Sequence, residues 1–164
     1  TIGMAQRGGF VTSHVRMGNA GEEVYSPLLA HRSADVIIAF EPAEAARALP
    51  YLAPDGLLVT ASSDIQPVTA TLAKDPYIPV DVIEAVRAKV PDAVVVDDVS
   101  LCERIGTRKA LNIALLATAV AASERTGRGL AGVVSLDEMR EAIRVCVKPK
   151  FVDMNLKAVD IAIA

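Results

Sequence analysis

The amino-acid sequence predicts an α/β protein with three α/β/α layers, in which helices cover both faces of a largely parallel sheet. Three short apolar runs, at 34–40, 57–61 and 93–97, are typical of strands buried on both faces. Helical segments and short links separate these runs, and such alternation is typical of βαβ units. Hydrophobic residues make up 52% of the chain and aromatic residues only 4%, so we expect a core of aliphatic side chains.

Helix signals follow the first two of these strands. Pro42 suits the first position of a helix over residues 43–49, since its missing N–H and fixed φ cost nothing there. Asp81 stands three residues before Glu84, a spacing that predicts a helix capped by Asp81. The stretch 62–79 between them contains proline and polar residues without a period, so we interpret it as an irregular loop.

An N-terminal hairpin is expected at the edge of the sheet. Apolar and polar side chains alternate over residues 10–17, the period of a half-buried strand. A turn at 18–21 precedes a short return strand at 24–26. A second turn, Pro54-Asp55-Gly56, introduces the strand at 57–61.

The C-terminal half is predicted to be helical. A short helix through Arg104 ends at Gly106, and residues 108–123 are apolar nearly all round, which indicates a buried helix. Ser135-Leu136-Asp137-Glu138 is a capping box that opens a further helix. Pro149 opens the last one.

Length and charge limit the class of protein. A chain of 164 residues fits one domain, spanning 1–164. The net charge is −3 and the 17 basic residues are dispersed, so no nucleic-acid partner is expected. The longest apolar run, at 113–122, is too short to cross a bilayer, so no membrane association is expected either.

The two cysteines, Cys102 and Cys146, lie far apart and outside any CxxC motif. They are too few to hold an iron–sulfur cluster or a structural zinc ion by themselves. Both fall on apolar helix positions, so we expect buried free thiols in a reducing compartment. No signal peptide is visible, and we therefore expect a cytoplasmic protein.

A polar, glycine-rich stretch opens the chain. Gln6 and Arg7 carry an amide and a guanidinium, groups that bind carboxylate or phosphate oxygens, and they precede Gly8 and Gly9. Adjacent glycines allow the backbone to approach another group closely. This loop is therefore a candidate ligand or partner contact, although two glycines before a strand also form an ordinary turn.

Five further positions are candidates for chemistry. His14 and His31 are the conventional general bases near neutral pH, but both also fit surface positions. Glu41 ends a buried strand, at the edge where open α/β sheets bind ligands, and it could equally cap the following helix; Asp97 ends another. Asn112 lies in an otherwise apolar helix, so we expect it to be buried and to bond a loop backbone or another subunit.

No complete catalytic set is visible. The sequence has no GxSxG, HExxH or P-loop motif, so no catalytic residue and no metal ligand is assigned. This favours a subunit or a binding module over a self-sufficient enzyme.

A family resemblance supports the subunit interpretation. Residues 4–16 resemble the "GMAQRGG…SHVR" stretch of the gamma-type subunits of 2-oxoacid:ferredoxin oxidoreductases, which act on pyruvate, ketoisovalerate or indolepyruvate. The likeness is strongest to the beta (small) subunits of indolepyruvate ferredoxin oxidoreductases. The family usually begins with a strand and a GxGGQG-type glycine loop, and we expect both to be missing from this gamma-type domain. The likeness continues at 24–27, 34–45, 47–52, 112–116 and 150–158.

The resemblance implies a fold like domain III of pyruvate:ferredoxin oxidoreductase and a role within a larger enzyme. Such enzymes use thiamine diphosphate to decarboxylate a 2-oxoacid oxidatively to acyl-coenzyme A, and pass the electrons through Fe–S clusters to ferredoxin. The thiamine- and Fe–S-binding parts belong to partner subunits, so this chain binds no cofactor alone, is inactive alone and is a possible homodimer when isolated. It would help to enclose the active site or bind coenzyme A. The ligand or subunit-interface candidates are Gln6, Arg7, Gly8, Gly9, His14, Glu41 and Asn112.

Two alternatives stay open at this point. The first is a stand-alone nucleotide- or coenzyme-binding α/β module whose glycine loop holds phosphate. The second is a purely structural subunit, in which Arg7 serves assembly but not turnover.

Overall fold

The computed structural model of the chain describes residues 2–3, 11–63 and 78–164. From residue 34 onward, strands and helices follow one another in the predicted order. The elements of the described residues are β1 (Ile2–Gly3), β2 (Val11–Thr12), β3 (Ala34–Ala39), α1 (Pro42–Ala48), β4 (Leu52–Ala61), α2 (Pro79–Lys89), β5 (Val94–Val96), α3 (Asp98–Ile105), α4 (Leu111–Thr126), α5 (Leu136–Cys146) and α6 (Pro149–Ile163), with 3-10 turns at Leu49–Tyr51 and Arg108–Ala110.

The parallel sheet and the three layers are confirmed. Strands β3, β4 and β5 are neighbours in that order, and both pairs are parallel. Side chains of the central strand β4 alternate between two apolar clusters. Leu57 and Val59 pack toward α4 on one face, whereas Leu58 packs against α1 and α2 on the other. These three side chains are at most 2% exposed, so the core lies on both faces of β4.

Strand β4 is longer than the sequence predicts. The predicted turn at 54–56 is instead an irregularity within the strand, where the register with β3 shifts between Ala34 and Val36. A Cβ added to Gly56 would lie 2.7 Å from the carbonyl oxygen of Ala34. The strand therefore stays continuous because a residue without a side chain fits this close approach.

The first strand of the predicted N-terminal hairpin pairs with a different segment from the one expected. Strand β2 is only two residues long and pairs antiparallel with β1, in a two-stranded sheet separate from β3–β5. Residues 18–21 do turn, with Glu22 N–H donating to the carbonyl of Asn19 at 2.8 Å. The segment 24–26 forms no strand. Residues 13–33, called the N-terminal arm below, contain no helix or strand.

The predicted C-terminal helices are confirmed. Helix α3 ends at Gly106, whose φ of 90° is the left-handed conformation of a helix end. Helix α4 is largely buried, and α5 opens with the full Ser135–Glu138 capping box. Helix α2, in contrast, begins at Pro79 rather than being capped by Asp81, which lies in its first turn. Of the predicted loop 62–79, positions 64–77 lie outside the described residues.

The two cysteines differ in exposure. Cys102 is buried as expected, but Cys146 is exposed, which contradicts the prediction. The apolar stripe of α5 runs through Met139 and Ile143 and continues to Val147 just past the helix end, so Cys146 falls outside it. Burial raises the pKa of the Cys102 thiol, which therefore stays protonated.

Within residues 11–63 and 78–164, no single helix has the length and apolarity to cross a bilayer. The pair formed by Asp98–Ile105 and Arg108–Thr126 would qualify by length and composition, but it is bent by 112°.

Candidate functional site

Parallel strands end on the same side of a sheet, and the side at which β3, β4 and β5 end is called the carboxyl edge below. Ligands of open α/β proteins bind outside this edge. The opposite side, at which the strands begin, is called the amino edge. The carboxyl edge of this protein holds a charged cluster, two helix caps and several exposed apolar side chains.

The charged cluster is built around Asp98, the first residue of α3. Its carboxylate accepts hydrogen bonds from the Ser63 N–H at 2.9 Å and the Ser63 Oγ–H at 2.5 Å. The Arg108 Nη2 donates to the same carboxylate at 2.7 Å and to Ser63 Oγ at 3.1 Å. Three separate segments therefore meet here: the exit of β4, the start of α3 and the turn before α4.

The cluster keeps Asp98 ionised although the side chain is fully buried. Burial alone would raise the pKa of this carboxyl, but the hydrogen bonds from Ser63 and the Arg108 guanidinium outweigh burial and lower it. An uncompensated buried carboxylate would be strongly unfavourable. Ser63 and Arg108 together therefore compensate the buried charge of Asp98.

Arg108 presents the accessible part of the cluster. Its side chain is 45% exposed, whereas that of Asp98 has no exposure. Within the described residues the guanidinium is bonded through Nη2 alone. The 3-10 turn that carries Arg108 and Lys109 is capped by Thr107, whose Oγ1 accepts from the Lys109 N–H at 3.2 Å.

Glu41 and Asp97 both serve as helix caps. The Glu41 carboxylate is buried and accepts from the Glu44 N–H at 3.0 Å, at the start of α1. Asp97 is exposed and accepts from the Ser100 N–H at 3.1 Å, at the start of α3. The cap predicted for Glu41 is thereby confirmed, and its role as a ligand or subunit-interface residue stays a prediction.

His14 lies away from this edge, beside β3. Its Nδ1 accepts the Leu29 N–H at 3.1 Å, so the neutral ring carries its proton on Nε2. The Tyr51 ring contacts His14 edge-on at 5.7 Å between centroids and His31 at 5.0 Å. This aromatic group ties the N-terminal arm to the α/β body, beside a groove of about 460 Å³ between residues 11–14 and β3.

Asn112 does not occupy the buried position that the sequence indicates. It is exposed in the first turn of α4, because the buried stripe of that helix passes through Leu111, Ala114 and Leu115 instead. The buried asparagine is Asn155 of α6, whose amide donates to the Phe151 carbonyl at 2.7 Å. Asn112 remains a surface candidate, and Gln6, Arg7, Gly8 and Gly9 lie outside the described residues.

Exposed apolar side chains border the carboxyl edge. Each stands directly after a strand or at the start of the helix that follows one. Their exposed fractions are between 45% and 61%, which is high for apolar residues placed so close to the core. The four residues are Phe40, Ile78, Val80 and Val99.

The sequence alone did not reveal the Asp98 cluster. Ser63 and Asp98 are 35 positions apart and Ser63 and Arg108 are 45 apart, so no local motif joins them. The available signal is an aspartate pair, Asp97-Asp98, directly after a buried strand, of which only Asp97 is a candidate by sequence.

The cysteines of the chain are too few to bind an Fe–S cluster. Such a cluster takes four ligands, mostly thiolates, and the sequence contains two cysteines. No group of three or more potential metal ligands occurs among residues 11–63 and 78–164.

Comparison with known proteins identifies the family. Residues 1–164 match the family model described as pyruvate ferredoxin/flavodoxin oxidoreductase. The chain belongs to this family. The predicted resemblance and the predicted enzyme class, a subunit of a 2-oxoacid:ferredoxin oxidoreductase complex, are thereby confirmed.

Individual relatives agree with the family. The indolepyruvate oxidoreductase subunit IorB of Archaeoglobus fulgidus is 37% identical, over 96% of this chain and 74% of its own length. The IorB subunits of Pyrococcus horikoshii and Thermococcus kodakarensis are 32% and 31% identical, each over 98% of this chain and 76% of their own length. Family membership favours the subunit hypothesis over a stand-alone binding module.

Proposed function

We propose that the chain is the small, gamma-type subunit of a hetero-oligomeric 2-oxoacid:ferredoxin oxidoreductase, and that its carboxyl edge packs against a thiamine-binding partner subunit. The observation that carries this proposal is that four exposed apolar side chains and the Asp98 cluster lie at the same edge of the sheet. An apolar surface with a few fixed charged groups is typical of the centre of a protein interface.

The cysteine content of this chain indicates which subunits bind the cofactors of the complex. The partner subunits supply thiamine diphosphate and the Fe–S clusters, since this chain has two cysteines and no catalytic set. This chain encloses the active site and contacts coenzyme A, and the complex passes electrons to ferredoxin in the cytoplasm. Indolepyruvate is the proposed 2-oxoacid, because the relatives are named for it.

The proposed interface can be tested by placing charges on it. Val80→Lys and Val99→Lys each alter an exposed side chain at the second position of a helix, so the fold should be kept. Val133→Lys is the matched control: Val133 is 56% exposed but lies in the loop after α4, where Arg128 pairs with Asp92 just before β5, at the amino edge. Each variant is co-expressed with the partner subunits, and assembly is followed by size-exclusion chromatography with mass detection.

We expect the two carboxyl-edge variants to lose at least about tenfold in assembly, because a buried lysine charge without a partner is unfavourable. Val133→Lys should assemble like the wild type. Normal assembly of Val80→Lys and Val99→Lys would contradict the proposed interface. If the chain never enters a complex with a thiamine-binding protein, the subunit function itself is wrong, and the isolated chain is then the species to assay.

A further inference from the structure

We propose that Arg108 binds an oxyanion group at the carboxyl edge, and that Asp98 and Ser63 position it for this purpose. The ligand is a phosphate group of a nucleotide coenzyme or a carboxylate of the substrate, which share the chemistry that a guanidinium recognises. This inference rests on the proposed function, in which the same edge encloses a coenzyme.

The first argument is the immobilisation of the guanidinium. Its Nη2 is held at 2.7 Å by a carboxylate with no solvent exposure and at 3.1 Å by Ser63 Oγ. An arginine fixed in this way loses little side-chain freedom on binding a ligand, so more of the interaction energy remains for affinity. A surface arginine without such a partner would have to be ordered first.

The second argument is the availability of donors. The Nε and Nη1 groups of Arg108 make no hydrogen bond among the described residues, and 45% of the side chain is accessible. Asp98 already accepts three hydrogen bonds, so its charge is compensated within the cluster. Lys109, on the same 3-10 turn, is also exposed.

The third argument is the contrast with an arginine at the amino edge. Arg128 also pairs with an aspartate, Asp92, but the Asp92 side chain is 53% exposed and Arg128 is the less exposed partner at 30%. The burial is thus reversed: in the Arg108 pair the carboxylate is inside and the guanidinium faces out. This order suits the presentation of a cation to a ligand.

The test is a titration of the full chain with inorganic pyrophosphate, followed by the nitrogen and proton resonances of the arginine Nε–H groups. We expect a saturable shift of the Arg108 resonance. The apparent affinity for pyrophosphate should be at least about tenfold weaker in Arg108→Gln, since the charge-assisted hydrogen bonds to the guanidinium are lost. Arg128→Gln is the matched control and should bind like the wild type. A wild-type chain without a saturable shift at Arg108 would overturn the proposal.

A second variant covers the risk that Arg108→Gln leaves Asp98 buried without its cation and unfolds. Asp98→Asn combined with Arg108→Gln removes both charges of the ion pair, so that no carboxylate is left buried without its cation. This double variant should fold and still lose pyrophosphate binding; binding like the wild type would contradict the inference. Titration with 2-oxobutyrate then assigns the ligand: stronger binding of pyrophosphate indicates the coenzyme, and stronger binding of the carboxylate indicates the substrate.

The result of the pyrophosphate titration can be distinguished from the result of the assembly test of the proposed function. If the double variant loses pyrophosphate binding and still assembles with the partner subunits, both the oxyanion site and the subunit function stand. Loss of assembly in Val99→Lys does not depend on pyrophosphate. Pyrophosphate binding that the double variant retains would remove the oxyanion site and leave the interface intact.

Discussion

Among single residues, Asp98 combines a full charge with complete burial, so its neighbours decide its contribution to stability. Asp98→Asn keeps the shape but removes the charge on which the Ser63 and Arg108 hydrogen bonds depend. We expect a loss of about 2 kcal/mol in the free energy of unfolding at pH 7, the range for hydrogen bonds to a charged group. Urea unfolding followed by circular dichroism measures it.

The same substitution makes a prediction about pH. The hydrogen bonds lower the pKa of Asp98 in the folded protein below that of the unfolded chain, which is about 3.9. The stabilisation is therefore fully present above about pH 4 and is lost as the pH falls through the folded pKa. The difference between wild type and Asp98→Asn should shrink below pH 4. Asp92→Asn, which alters the exposed pair with Arg128, should change the unfolding free energy by less than about 0.5 kcal/mol at any pH.

Among the elements, β4 depends on Gly56. A Cβ at this position would lie 2.7 Å from both the Ala34 carbonyl oxygen and the Leu52 Cδ1, so β3 and β4 would have to separate. Gly56→Ala should cost about 1–3 kcal/mol, as overpacking does elsewhere, and lower the melting temperature by several degrees. The neighbouring substitution Asp55→Ala, on an exposed side chain, is the control. Equal melting temperatures for the two variants would mean that the irregularity in β4 tolerates a side chain.

Gly56 also illustrates how far the sequence predicts the fold. The apolar runs of β3 and β5 and the caps of α1 and α5 are local signals, and the structure has all four elements. The sequence Pro54-Asp55-Gly56 is an equally good local signal for a turn, yet pairing with β3 keeps it in the strand. Local propensity was therefore overridden by tertiary contact.

The candidate site was less predictable for the same reason. Helix-capping by Glu41 follows from its position before Pro42, a neighbour in the sequence. The Asp98 cluster joins residues 35 and 45 positions apart, and the exposure of Asn112 depends on which side of α4 meets the sheet. Both depend on packing between elements, which a single sequence does not encode as a motif.

For the whole molecule, the N-terminal arm gives a test of assembly. It carries Val15, Met17 and Tyr25, which are 73%, 63% and 87% exposed, and exposed apolar groups on a segment without helix or strand are typical of a surface that a partner covers. Trypsin should cut the isolated chain after Arg16 faster than after Arg144, which is exposed but lies in α5, because proteases need an extended backbone.

Assembly should reverse this order of cleavage sites. If the partner subunits cover the arm, Arg16 is protected in the complex, and the cleavage rate there falls at least about tenfold while that at Arg144 changes little. Mass spectrometry of timed digests of the isolated chain and the purified complex gives both rates from one experiment. Continued rapid cleavage after Arg16 in the complex would place the arm outside the interface. The carboxyl edge alone would then be the contact surface. The contact of His14 in the arm with Tyr51 would stabilise only the fold of this subunit.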